Sequence, residues 1–207
     1  MMKLYYAPGA CSLGIHFLLE EVGAKYDAIA IDIKQGQQFT PDYARLNPKS
    51  KVPLLQRDDG STLTEFGAIA RWLASTTGAQ TLQSTSLEED IRITETLDYV
   101  VATLHMQGFS RILRPQKFTP NEADLDWVRQ VGIEIVTKGF ARLSAQLGQS
   151  PFIMGQRLSI ADAALFYTLF WATKRVNLDL PQNLRDYYQR LSARPSARKV
   201  LQSEGLE

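Results

Sequence analysis

Cysteine is all but missing from this chain: Cys11 is the only one in 207 residues. An internal disulfide is therefore impossible, which fits a reducing compartment. Histidine is almost as scarce. His16 and His105 lie far apart in sequence, and with one cysteine they make no expected metal site. Neither sign of charge prevails; the net charge of +1 gives no reason to expect nucleic acid or an anionic membrane as partner. No stretch approaches the roughly 20 apolar residues of a membrane span. The start of the chain reads as a strand and not as the apolar run of a signal peptide, so a cytoplasmic location is expected. A glycine-rich phosphate loop, a Ser-His-Asp constellation, internal repeats and low-complexity tracts are all lacking.

What remains is an ordinary globular composition, 44% hydrophobic and 22% charged, with length for one large domain or two small ones. Lys3-Leu4-Tyr5-Tyr6 reads as a strand closed by Pro8-Gly9, and residues 12–21 read as a helix stopped near Gly23. The lone Cys11 thus falls in the strand-to-helix turn. There the first N–H groups of the helix and the positive end of its dipole favour an anion such as a thiolate. The plainer reading is a small apolar filler. Residues 26–33 partly alternate and read as a second strand, which makes a right-handed βαβ unit.

Residues 34–40 read as loop and 41–46 as a short helix. Pro53 interrupts a strand-like run and belongs at a bend or edge. Asp58-Asp59-Gly60 is a hairpin turn, residues 61–64 return as a strand, and a helix follows from Phe66 until Gly78. Residues 79–87 are polar, without periodicity, and read as a linker. Beyond them every segment is helical in character: 88–113 as one long helix ended by Arg114-Pro115, then 121–147, 182–193 and 196–203. Ser159 and Asp162 have the spacing of a capping box, worth about 1 kcal/mol. The helix they open, 163–171, is apolar nearly all round and so central.

A βαβ start, Val52-Pro53 before a hairpin, Thr64-Glu65 at a helix start and a helical half containing Ser159-Ile160-Ala161-Asp162 together resemble a glutathione S-transferase. Tyr6-Ala7-Pro8-Gly9-Ala10-Cys11-Ser12-Leu13, and Leu104-His105 with His105 seven residues after Asp98, are most similar to the bacterial beta class. The resemblance spans essentially the whole chain. It implies an α/β, thioredoxin-like domain over residues 1–78 that binds glutathione. It further implies the linker at 79–87, an all-α helical domain over 88–207 contributing the electrophile site, and a homodimer.

The resemblance also assigns roles. Cys11 lies beside the glutathione sulfur, and His105 lies near it as a hydrogen-bond donor to the thiolate. The Val52–Pro53 bond is cis and turns the Val52 N–H and C=O toward the cysteinyl part of glutathione, as an added edge strand. Glu65 takes the γ-glutamyl ammonium and the helix start at Phe66 its carboxylate. Asp98 reaches the glutathione of the neighbouring subunit, and Lys34 lies within a residue or two of a glutathione-contacting lysine of the family. On an α-helix Asp98 and His105, two turns apart, share a face.

Three residues depart from the family pattern: Phe66 stands for a Ser or Gly, Met106 for a Lys, and Gln107 is an insertion. His16 and Trp171 read as structural. The expected function is activation of the glutathione thiolate for attack on an electrophilic apolar compound. A glutathione-dependent thiol transferase or disulfide reductase working through a Cys11 mixed disulfide is one alternative. A non-catalytic ligand-binding or interaction module is another.

Overall fold

The computed structural model describes residues 1–76 and 82–207. They form two compact units, one of Met1–Gln83 with Leu191–Glu207 and one of Ser84–Arg190. Gly78 and residues 79–81 of the expected linker lie outside the described residues.

In the first unit β1 (Met2–Tyr6), α1 (Ser12–Glu21) and β2 (Tyr26–Ala30) make the expected βαβ, with β1 and β2 parallel. After a short 3₁₀ turn, α2 (Pro41–Leu46) is capped by Thr40, whose hydroxyl accepts the Tyr43 N–H at 3.4 Å. The hairpin β3 (Leu54–Gln56) and β4 (Thr62–Thr64) pairs antiparallel beside β1, giving the order β2-β1-β3-β4. α3 (Phe66–Thr76) closes this run. All residues of α1 from Ser12 to Leu19 are buried.

Part of that cover comes from the far end of the chain. α9 (Pro195–Ser203) packs along α1. Arg194 grips Glu21 with two hydrogen bonds of 2.6 and 2.8 Å, and Lys199 Nζ lies 2.8 Å from Glu20 Oε2.

The second unit is helical. α4 (Leu87–Asp98) continues without a break through Tyr99–Phe109 into α5 (Ser110–Leu113). The expected long helix is present, but its middle is π-helical: the Ser110 N–H bonds the His105 carbonyl, five residues back. α6 (Leu125–Leu147) lies against this wide stretch. A Cβ on Gly132 would stand 2.8 Å from the Gly108 carbonyl oxygen, so the two backbones touch where neither residue has a side chain. α7 (Ile160–Phe170) is buried at all eleven positions, as its apolar sequence implied, and runs into a second π turn, Trp171–Val176. α8 (Gln182–Ser192) follows. Among the described residues no helix is long and apolar enough to cross a membrane.

Candidate functional site

The turn between β1 and α1 is held from within by Ser12. Its hydroxyl accepts the Ala7 N–H at 3.2 Å and donates to the Ala7 carbonyl at 3.3 Å. Cys11 is the residue before α1 and is half-buried. Its thiol donates to the Val52 carbonyl oxygen across 3.5 Å. The strand-to-helix turn and the chain entering β3, 41 residues apart in sequence, therefore meet at one sulfur.

The Val52–Pro53 peptide bond is cis, as the resemblance implies. The residue before Val52 is clamped from two sides. The Lys51 carbonyl accepts from the Tyr43 hydroxyl at 2.6 Å and from Asn47 Nδ2 at 2.7 Å. Asn47 is buried, and its side-chain oxygen also accepts the Lys49 N–H at 3.0 Å. Burial pushes the Tyr43 phenol up to about 12, so it stays a proton donor. Val52 itself packs on a small core of Tyr5, Ile31, Tyr43 and Leu54.

Glu65 has φ +70°, in the left-handed region that a side chain disfavours. It is exposed at the start of α3, where Lys49 Nζ lies 2.8 Å from its carboxylate and 2.8 Å from the Thr64 hydroxyl. Phe66 is buried, 5% exposed. The substitution of a ring for a small residue thus adds to the core of the unit. Lys34 is an exposed residue of a tight turn, its N–H donating to Asp32 Oδ1 at 3.0 Å.

Of the remaining predicted residues, Asp98 and His105 belong to the helical unit. Asp98 is the exposed last residue of α4. His105 is half-buried in the π stretch, with Nδ1 3.2 Å from the Tyr167 phenol oxygen and its ring edge-on to Trp171 at 4.8 Å. Between Asp98 and His105 the helix makes π turns, in which a residue bonds the fifth before it, so the α-helical count of two turns in seven residues does not carry through this stretch. Gln107 lies within this stretch, which spans Tyr99–Phe109.

Two family models match this chain: the N-terminal domain of glutathione S-transferase over residues 9–76, and the C-terminal domain over residues 119–190. The chain belongs to the glutathione S-transferase family. It is 36% identical to the glutathione S-transferase GstA of Escherichia coli O157:H7 across the full length of both chains. A bacterial beta class glutathione S-transferase from Sphingomonas chungbukensis superposes with a TM-score of 0.83, at 32% identity, over 99% of this chain and 100% of that one. A sphingomonad glutathione S-transferase complexed with glutathione superposes at 0.84, with 30% identity and the same coverage. The likeness to such relatives makes this chain a glutathione transferase.

Several residues that hold these elements in place escaped the sequence reading. Lys49, Tyr43 and Asn47 flank the Val52–Pro53 motif, and the Asn47-Pro48 step beside it was a visible signal of a shaped turn. Tyr167 sits inside an apolar helix where nothing in its neighbours marks it. Glu204, whose carboxylate accepts the Gly9 N–H at 2.8 Å, is one acid among the charged residues of the C-terminal segment.

Proposed function

We propose that this glutathione transferase binds the tripeptide along its first unit and activates the sulfur beside Cys11 for attack on an apolar electrophile. The observation that carries the reading is the 3.5 Å contact between the Cys11 thiol and the Val52 carbonyl. It sets the one thiol of the chain next to the backbone that would pair with the cysteinyl part of glutathione. Val52 and Pro53 then hold that part, Glu65 the γ-glutamyl ammonium and the Phe66 backbone its carboxylate, with Lys34 at the rim. The cis geometry before Pro53 and the exposure of Glu65 support these roles.

His105 is proposed as a donor toward the thiolate, and Asp98 as the residue that reaches a second subunit's glutathione in a homodimer. The electrophile is taken by the helical part, residues 88–207, whereas residues 1–78 bind glutathione and 79–87 link the two. Conjugation of this kind suits detoxification in the cytoplasm, and it needs glutathione as co-substrate and no metal.

The test is calorimetric glutathione binding, followed by turnover of an aryl halide and of a small mixed disulfide, in the native protein and in Cys11→Ala. Conjugation that survives Cys11→Ala supports a transferase whose thiolate belongs to glutathione. Disulfide turnover that disappears in that variant, with negligible conjugation, would instead identify a reductase. Sedimentation as a stable monomer would count against the role of Asp98 across subunits.

A further inference from the structure

The carboxylate proposed to receive the γ-glutamyl ammonium carries an ammonium of the protein itself. Lys49 Nζ lies 2.8 Å from Glu65 Oε1 and 2.8 Å from the Thr64 hydroxyl oxygen. Lys49 and Glu65 are 16 residues apart. They meet because β4 folds back on β3, pairing Thr64 with Leu54, so that the start of α3 stands beside the loop that leads into β3.

That loop is held by a buried side chain. Asn47 Oδ1 accepts the Lys49 N–H at 3.0 Å, and the Asn47 carbonyl accepts the Ser50 N–H at 2.9 Å. Ser50, with φ +52°, turns the chain through the left-handed region. The backbone of Lys49 is thus fixed, and two of its three ammonium donors go to Thr64 and Glu65.

A ligand ammonium on Glu65 would share one carboxylate with Lys49, and two like charges that close repel. A ligand that lacks the ammonium escapes this repulsion. It also gains from Lys49, because an uncompensated Glu65 would repel the ligand's own γ-glutamyl carboxylate at the start of α3. Lys49 therefore acts in opposite directions on the two kinds of ligand.

We infer that Lys49 is a specificity-determining residue for the thiol co-substrate. By neutralising Glu65 it relaxes the demand for a free ammonium, and it opens the site to thiol peptides whose γ-glutamyl end carries only the carboxylate. The inference rests on the transferase reading above, in which Glu65 and the start of α3 receive that end of glutathione.

The experiment compares, by calorimetry, glutathione with N-glutaryl-cysteinylglycine, the same tripeptide without its amine. Native protein, Lys49→Met and Glu65→Gln are titrated with each, and the readout is the dissociation constant of the analogue divided by that of glutathione. Both peptides bind the same folded fraction, so any loss of stability cancels in this ratio. An exposed ion pair shifts an equilibrium by up to about fivefold. The ratio should accordingly rise about threefold to fivefold in Lys49→Met and fall toward unity in Glu65→Gln. A ratio that stays the same or falls in Lys49→Met overturns the inference. Equal weakening of both peptides is such a result, the one expected if Lys49 bound the carboxylate they share. The transferase reading survives that outcome as long as native protein binds glutathione and Glu65→Gln binds it less tightly. Native protein that binds neither peptide, or Glu65→Gln protein that binds both as before, would overturn the reading and the inference together.

Discussion

Nδ1 of His105 and the phenol oxygen of Tyr167 lie 3.2 Å apart, joining the π stretch to the buried helix α7. Tyr167 is fully buried, so its hydroxyl has nowhere to turn for water. Its hydroxyl can donate to Nδ1 of His105 or accept from it, and so holds the orientation of the ring. Tyr167→Phe removes that bond while keeping the ring contacts. Conjugation kcat should fall severalfold, and stability should fall by about 1 kcal/mol. Unchanged kinetics would show that His105 acts without this partner.

Glu65 gives a second prediction, from backbone strain. Its φ of +70° belongs to the left-handed region, which costs a side chain of order 1 kcal/mol and more and gathers at functional sites. Its ion pair with Lys49 is exposed on both sides and contributes little to folding. Glu65→Gly should therefore leave the protein as stable or up to about 1 kcal/mol more stable. The same variant should raise the glutathione KM about tenfold, since a charge-assisted contact is worth about 1.5 to 3 kcal/mol. A stability loss of similar size with KM intact would reverse the assignment.

Asp162 organises the helical unit. Its Oδ2 accepts the Ser159 N–H at 2.7 Å and the Ser159 hydroxyl at 2.8 Å. Oδ1 accepts the Ile153 N–H at 2.9 Å and the Tyr187 hydroxyl at 2.5 Å. Burial pushes this carboxyl upward against all four bonds. Asp162→Ala strands several buried donors and should cost about 3 to 5 kcal/mol in chemical denaturation, well beyond the roughly 1 kcal/mol of a plain cap. Tyr187→Phe should cost less in the Asp162→Ala background than alone, because their shared bond is already gone.

A pH dependence follows from Glu89. Its carboxylate accepts the Thr85 hydroxyl and N–H, both at 2.6 Å, and meets Arg157 at 2.5 Å. These contacts, with the Thr85 hydroxyl first, hold it down at about 2, from 4.5. A lowered carboxylate adds stability above its unfolded value of 4.5, and that stability is lost as pH falls toward 2. The melting-temperature gap between native protein and Glu89→Gln should be constant above that value and shrink toward zero below it. A gap that grows on acidification would contradict the assignment.

How far the sequence reaches is clearest in the first unit. The βαβ start was legible because apolar alternation and a helical run are punctuated by Pro8-Gly9 and Gly23, local signals that need no tertiary partner. The buried character of α7 was legible for the same reason, since a helix apolar on every side has no face for water. The π stretch between Asp98 and Ser110 was not legible, because the sequence pattern carries only an α-helical period. Whether a helix widens to π depends on what its neighbours will accommodate, here α6 touching it through Gly132 and Gly108.

By itself, then, the order of residues determined which segments are strands and helices, where the lone thiol falls relative to a helix start, and which family the chain resembles. Only the tertiary structure decided that Glu204 closes on Gly9, that Tyr43 and Asn47 hold the residue before Val52, and that Tyr167 faces His105. The physical reason is range. Periodicity and turn chemistry act over a few neighbouring residues, whereas a buried hydrogen bond between residues 9 and 204 leaves no local mark and exists only when packing brings its ends together.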